Sequence, residues 1–127
     1  MKIEFLEKTG DASHNNILRI FAFNQDETLV LRSLIEKFIL EQKKDLKIHS
    51  LDFVEEINCK LTMTRVNKNI GVSQINSTEF KWELNTEQCT NVCEMLENSI
   101  RTSGFYWLDG DDCETDVDLL FSEGGGW

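Results

Sequence analysis

Asp109, Asp111 and Cys113 alternate along the chain as ligands 1, 3 and 5 do in a calcium-binding loop, and oxygens at that spacing can wrap a hard cation. Position 6 of such a loop needs glycine for a sharp turn, and position 12 needs a bidentate glutamate. Here those places hold Glu114 and Leu120. The stretch is read as a carboxylate cluster, and no metal site is assigned to it. Paired carboxylates also serve hydrolytic enzymes, but there an apolar pocket raises the pKa of one of them. A run of acids repelling one another in water supplies no such pocket.

Cys89 and Cys93, with Cys59 upstream, raise the question of a zinc cluster. Structural zinc sites place paired cysteines in a turn, whereas these two share the apolar side of a helical pattern with Val92 and Leu96. They read as small buried hydrophobes. No C-x-x-C redox pair occurs. Of the two histidines, His14 lies in a polar run, and His49 stands beside Ser50, an adjacency that does not make a nucleophile and its base meet in space. G-x-S-x-G, Gly-rich phosphate loops and H-E-x-x-H are all missing. The expectation is a protein that is not an enzyme and carries no cofactor.

Charge points elsewhere. The formal net charge is -10, and residues 104–127 contribute seven acids against no base, while residues 1–103 hold 16 acids against 13 bases. Such a surface repels phosphate backbones, which argues against DNA or RNA as partners and leaves a basic protein or a divalent cation. Aromatic residues accompany the acids: Phe105, Tyr106 and Trp107 lead into the run, and Trp127 follows three glycines. Aromatic anchors supply buried area at an interface, and acids around them speed encounter with a basic partner. The candidate partner-binding residues are therefore Tyr106, Trp107, Asp109, Asp111, Asp112, Glu114, Asp116, Asp118 and Trp127. Against this stands a plainer reading, in which Trp107 and Trp127 finish the core and the acids keep a hairpin tip from aggregating.

The elements that would position these residues follow from periodicity. "KIEFLEK" alternates Ile3 and Phe5 with charged residues as a short strand, the polar "TGDASHNN" turns, and "ILRIFAFN" reads as a strand buried on both faces. Asn24 or Asp26 caps a helix whose apolar positions are Val30, Leu31, Leu34, Ile35 and Phe38. Leu46, Ile48, Leu51 and Phe53 fit a strand that leads to a turn near Glu55 and Glu56. Cys59, Leu61 and Met63 line the core side of the next strand, "NKNIG" reverses the chain as a hairpin, and Phe80, Trp82 and Leu84 point inward from the return strand. Asn85, with Gln88 in the capping-box position, opens a second helix whose inner face is Cys89, Val92, Cys93, Leu96 and Ile100, and Gly104 follows its end. "FYWL" and "VDLLF" are strands on either side of the acidic loop, with Phe105 and Trp107 on one face and Tyr106 on the other. The expected architecture is α+β, an antiparallel sheet with two amphipathic helices in the order β-β-α-β-β-β-α-β-β, forming one domain over 1–127.

"MKIEFLEKTGDASHNN" has no uninterrupted apolar run and so gives no secretory signal, and "LVLRSLIEKFIL" is broken by charges well short of a membrane span. A soluble protein of the cytoplasm with free thiols is expected. "FYWL", the acidic turn, "VDLLFSEGGGW" and the upstream "LDFVEEINCKLTMTR" together resemble a group of small uncharacterised bacterial proteins that end in a leucine-rich strand, Ser, Gly and a terminal Trp. That resemblance implies a bacterial origin and no chemistry. In size and acidity the chain is also similar to immunity proteins that neutralise basic toxins. The sequence thus points to an acidic protein-binding domain, with a cation-binding module or a homo-oligomeric structural subunit as the alternatives.

Overall fold

The computed structural model of the chain describes residues 1–7, 16–102, 104–109, 115 and 117–124. Among these the elements run β1 (Lys2–Leu6), β2 (Asn16–Phe21), α1 (Gln25–Leu34) continuing as a π-helical stretch (Ile35–Glu41), β3 (Leu46–Lys47), β4 (Glu55–Glu56), β5 (Lys60–Arg65), β6 (Gly71–Gln74), β7 (Glu79–Leu84), α2 (Thr86–Arg101), β8 (Phe105–Trp107) and β9 (Val117–Ser122). The strands join one sheet in the order β3-β5-β7-β6-β9-β2-β1-β4, with β8 added on β9. The α+β class is as expected. The purely antiparallel sheet is not, because β1–β4, β2–β9 and β5–β7 are parallel pairs.

The β5–β7 pair shows where the antiparallel expectation goes wrong. "NKNIG" does reverse the chain, but the strand it delivers is β6, which pairs with β7 and not with β5. β7 inserts between them, parallel to β5, with Leu61 opposite Phe80 and Met63 opposite Trp82. Either arrangement keeps the same side chains on the core face, so the two-residue period cannot choose between them. The segment after Leu46 also departs from expectation. It is extended only over β3, then makes a 3-10 turn at Ile48–Ser50, and the expected turn at Glu55–Glu56 is instead a short strand parallel to β1.

The sheet is strongly curled. β4 and β5 lie toward opposite ends of the strand order, yet only Ile57, Asn58 and Cys59 connect them, a link that spans at most roughly 14 Å. Across the same gap Phe5 of β1 meets Phe80 of β7, ring centroids 4.6 Å apart. The inner side of this curl carries Ile3, Leu18, Ile20, Leu61, Met63, Phe80, Trp82, Leu119 and Phe121, all buried. Against them pack Leu31, Ile35 and Ile39 from the first helix and Cys89, Val92, Cys93 and Leu96 from α2.

Local chemistry explains the helix ends. Asn24 closes a full capping box on α1, accepting from the Glu27 amide at 2.9 Å while Glu27 accepts from the Asn24 amide at 3.1 Å. Asn85 caps α2 through the Gln88 amide at 2.8 Å, but the Gln88 side chain does not return to complete a box. It donates to the Leu108 carbonyl at 3.1 Å, tying the start of α2 to the chain just beyond β8. Along α1 and its π-helical continuation the buried apolar stripe is Leu31, Ile35 and Ile39, and Val30, expected inward, is 46% exposed. Gly104, past the end of α2, has φ +139°, a conformation that side chains disfavour.

Candidate protein-binding site

β8 and β9 set the geometry of the acidic end. Phe105, Tyr106 and Trp107 stand opposite Ser122, Phe121 and Leu120 respectively, and the Leu108 amide donates to the Leu119 carbonyl at 2.9 Å. In an antiparallel ladder, residues two apart repeat the same bonding, so Tyr106, two residues before the Leu108 whose amide is bonded there, directs its amide and carbonyl at β9. Phe105 and Trp107 therefore direct theirs away from β9, along the free side of β8.

Side chains alternate in the same way. Tyr106 lies on the helix side, half-buried against the core, with its hydroxyl donating to the Thr102 carbonyl at 3.5 Å. It packs against the core with part of its ring, on the face opposite to Phe105 and Trp107. Phe105 and Trp107 lie on the outer side, 47% and 36% exposed, with rings edge to face at 6.0 Å. Phe105 is not among the candidate partner-binding residues, although the alternation of "FYW" puts it on one face with Trp107.

Asp109 is 2% exposed, so it is not part of a displayed acidic surface. Asp118 is partly buried on β9, opposite Ile17 of β2. Asp111, Asp112, Glu114, Asp116 and Trp127 lie outside the described residues, as does Cys113.

The outer face continues across β9, β2 and β1. Ile17 and Leu120 are buried there, on the side away from the helices, which agrees with a central strand covered on both faces. Arg19 pairs with Glu4 through Nε at 2.9 Å, and its guanidinium lies 4.1 Å from the centroid of the Phe21 ring. This face thus already holds one cation against an aromatic ring.

Elsewhere the chemistry-bearing residues have structural work. His49 accepts the Leu61 amide at Nδ1, 3.1 Å away, continuing the edge that β3 begins on β5. Cys59, Cys89 and Cys93 are free thiols within the core. Burial, reinforced by Glu56 and Glu4, pushes the Cys59 thiol up from an ordinary 9.0 to about 12. Burial also raises Cys89 and Cys93 to about 11, assisted in the first case by Cys93 and in the second by Glu36. Protonated, buried sulfur is a poor nucleophile and a poor ligand. Among the described residues no group of three or more His, Cys, Asp or Glu is arranged to hold a metal, and no helix is long and apolar enough to cross a membrane. A polar cleft of about 340 Å³ opens where Asn24 and Thr28 of the α1 start face Ser99 and Arg101 of the α2 end. Its lining also includes Phe23 and Glu123, and among the described residues it holds no histidine or cysteine.

The chain matches no family model, no curated protein and no solved structure.

Proposed function

We propose that this chain is a protein-binding domain that docks a basic partner on the outer side of β8 and on the acidic segment that follows it. In its sharpest form the reading is a bacterial immunity protein or inhibitor that neutralises a basic protein. One observation carries it: two large aromatic side chains stand exposed and side by side on an edge strand, in a segment with seven carboxylates and no base. Exposed aromatics that touch each other mark interaction surfaces more often than isolated ones do. The acids supply steering, and the rings supply buried area.

The test separates those two parts. Replacing Asp111, Asp112 and Asp116 by Asn slows association with a basic partner captured from the source cell, most at low ionic strength, since salt screens charges beyond about 8 Å at physiological strength. Phe105→Ser leaves stability within about 0.5 kcal/mol, as exposed substitutions do, and chiefly speeds dissociation. Capture of no basic protein, or association of the triple-Asn variant as fast as wild type at low salt, would overturn the reading.

A further inference from the structure

The edges of the sheet are not treated alike. β3 and β4 are two residues long, and β4 consists of two glutamates, both devices that discourage a further strand. Beyond β4, the side chain of Asn58 takes both backbone groups of Phe5, accepting from its amide at 2.7 Å and donating to its carbonyl at 2.9 Å. Beyond β3, His49 occupies the Leu61 amide. Each of these side chains stands where a neighbouring strand would otherwise bond.

β8 has no such plug among the described residues. Among the described residues it pairs with β9 alone, and the amides and carbonyls of Phe105 and Trp107 face its free side. Two donors and two acceptors at i, i+2 spacing are what an added strand requires. The same two residues expose their rings on the outer face, where alternate side chains of an added strand would lie against them. An uncharged, aromatic edge that no described residue plugs is a liability unless something pairs with it.

We infer that the free edge of β8 takes up an extended, lysine- or arginine-bearing segment of a partner protein as an additional strand. This rests on the basic-partner reading above and specifies how that partner binds. The backbone bonds align the segment along β8. The stems of its basic residues lie on Phe105 and Trp107, as the Arg19 guanidinium already lies on Phe21, and their charge is opposite to the formal net charge of -10 that the chain carries. Charge complementarity selects a basic strand over a neutral one and over a second copy of this acidic chain.

The probe is an acetylated, amidated heptapeptide alternating lysine and valine, added to the whole protein at low salt. Two twins carry N-methyl groups on the lysines or on the valines, and a fourth peptide has glutamate for lysine. Amide exchange followed by NMR should slow at least tenfold at Phe105 and Trp107 and change less at Tyr106, whose amide is already paired to β9. One of the N-methyl twins should bind at least tenfold more weakly, because each blocks the donors along one edge only. If both twins bind like the parent, strand addition is overturned while the acidic-surface reading stands. Equal binding of the glutamate peptide removes the basic partner from both. Absence of binding by every peptide at millimolar concentration overturns both. If the protein alone is a dimer with Phe105 and Trp107 amides already protected, the occupant is a second copy and the proposal falls.

Discussion

The β7–α2 region and the β8–β9 edge both present alternating aromatics, and they use them in opposite ways. In β7, Phe80 and Trp82 are buried, with Lys81 and Glu83 bonded to each other at 3.4 Å on the other face. In β8 the odd-numbered aromatics face outward and the single even one, Tyr106, turns in. The difference lies in neighbours. β7 has a strand on each side and helices over its inner face, whereas β8 has, among the described residues, β9 on one side only. Identical side-chain chemistry thus becomes core where two layers meet and exposed surface where the sheet stops.

The contrast can be broken first at its buried end. Trp82→Ala should cost about 3–5 kcal/mol in urea unfolding, as truncation of a large core aromatic does, and a loss near zero would mean that β7 is turned over. Asp109 sharpens the comparison at its margin, since it is a buried residue inside the acidic segment. Asp109→Ala should cost about 1–3 kcal/mol by leaving its polar surroundings unmatched, against almost nothing for Asp111→Ala if that residue is solvated. Equal effects would erase the distinction between a placed carboxylate and a displayed one.

The smallest effect concerns the thiols and is absent at neutral pH. Their folded-state pKa values, about 11 to 12, lie above the ordinary 9.0 of an unfolded chain, so the folded form keeps its protons longer. Their contribution is complete below pH 9 and is lost as pH rises toward 11 to 12, where unfolding releases protons. The melting temperature should therefore fall over that window, and Cys59→Ala should flatten the fall. A thiol-independent profile would place these sulfurs nearer to water than the fold implies.

The sequence made the inner half of the molecule readable because burial there follows simple periods. Phe80, Trp82 and Leu84 on β7, the Cys89, Val92, Cys93 and Leu96 face of α2, and the Asn85 cap are visible as residue types at fixed spacing, while the cap of α1 is narrowed only to Asn24 or Asp26. Pairing was not readable. Nothing in "KLTMTR" says that its neighbour is "EFKWEL" in parallel rather than "GVSQ", because that choice depends on contacts between distant segments. The candidate site was half legible for the same reason. Alternation put Phe105 with Trp107, but only the position of β9 decides that their side is the outer one and that Tyr106 packs toward the core. Asp109 could not be separated from its acidic neighbours by type, since its burial comes from the fold around it.

The parallel pairing of β2 with β9 has a consequence in time. It sets Asn16 beside Val117 and Ile20 beside Phe121, so the central seam of the sheet joins segments roughly a hundred residues apart. Contacts of that span form late and slowly, because much of the chain must be ordered before they return any stabilisation. During synthesis on the ribosome, β1 and β2 emerge long before their neighbour exists, and β2 waits with one hydrogen-bonding side open. The cell thus meets this protein first as an unfinished sheet, and whatever shields that open side until β9 arrives governs how much of the chain reaches the folded state.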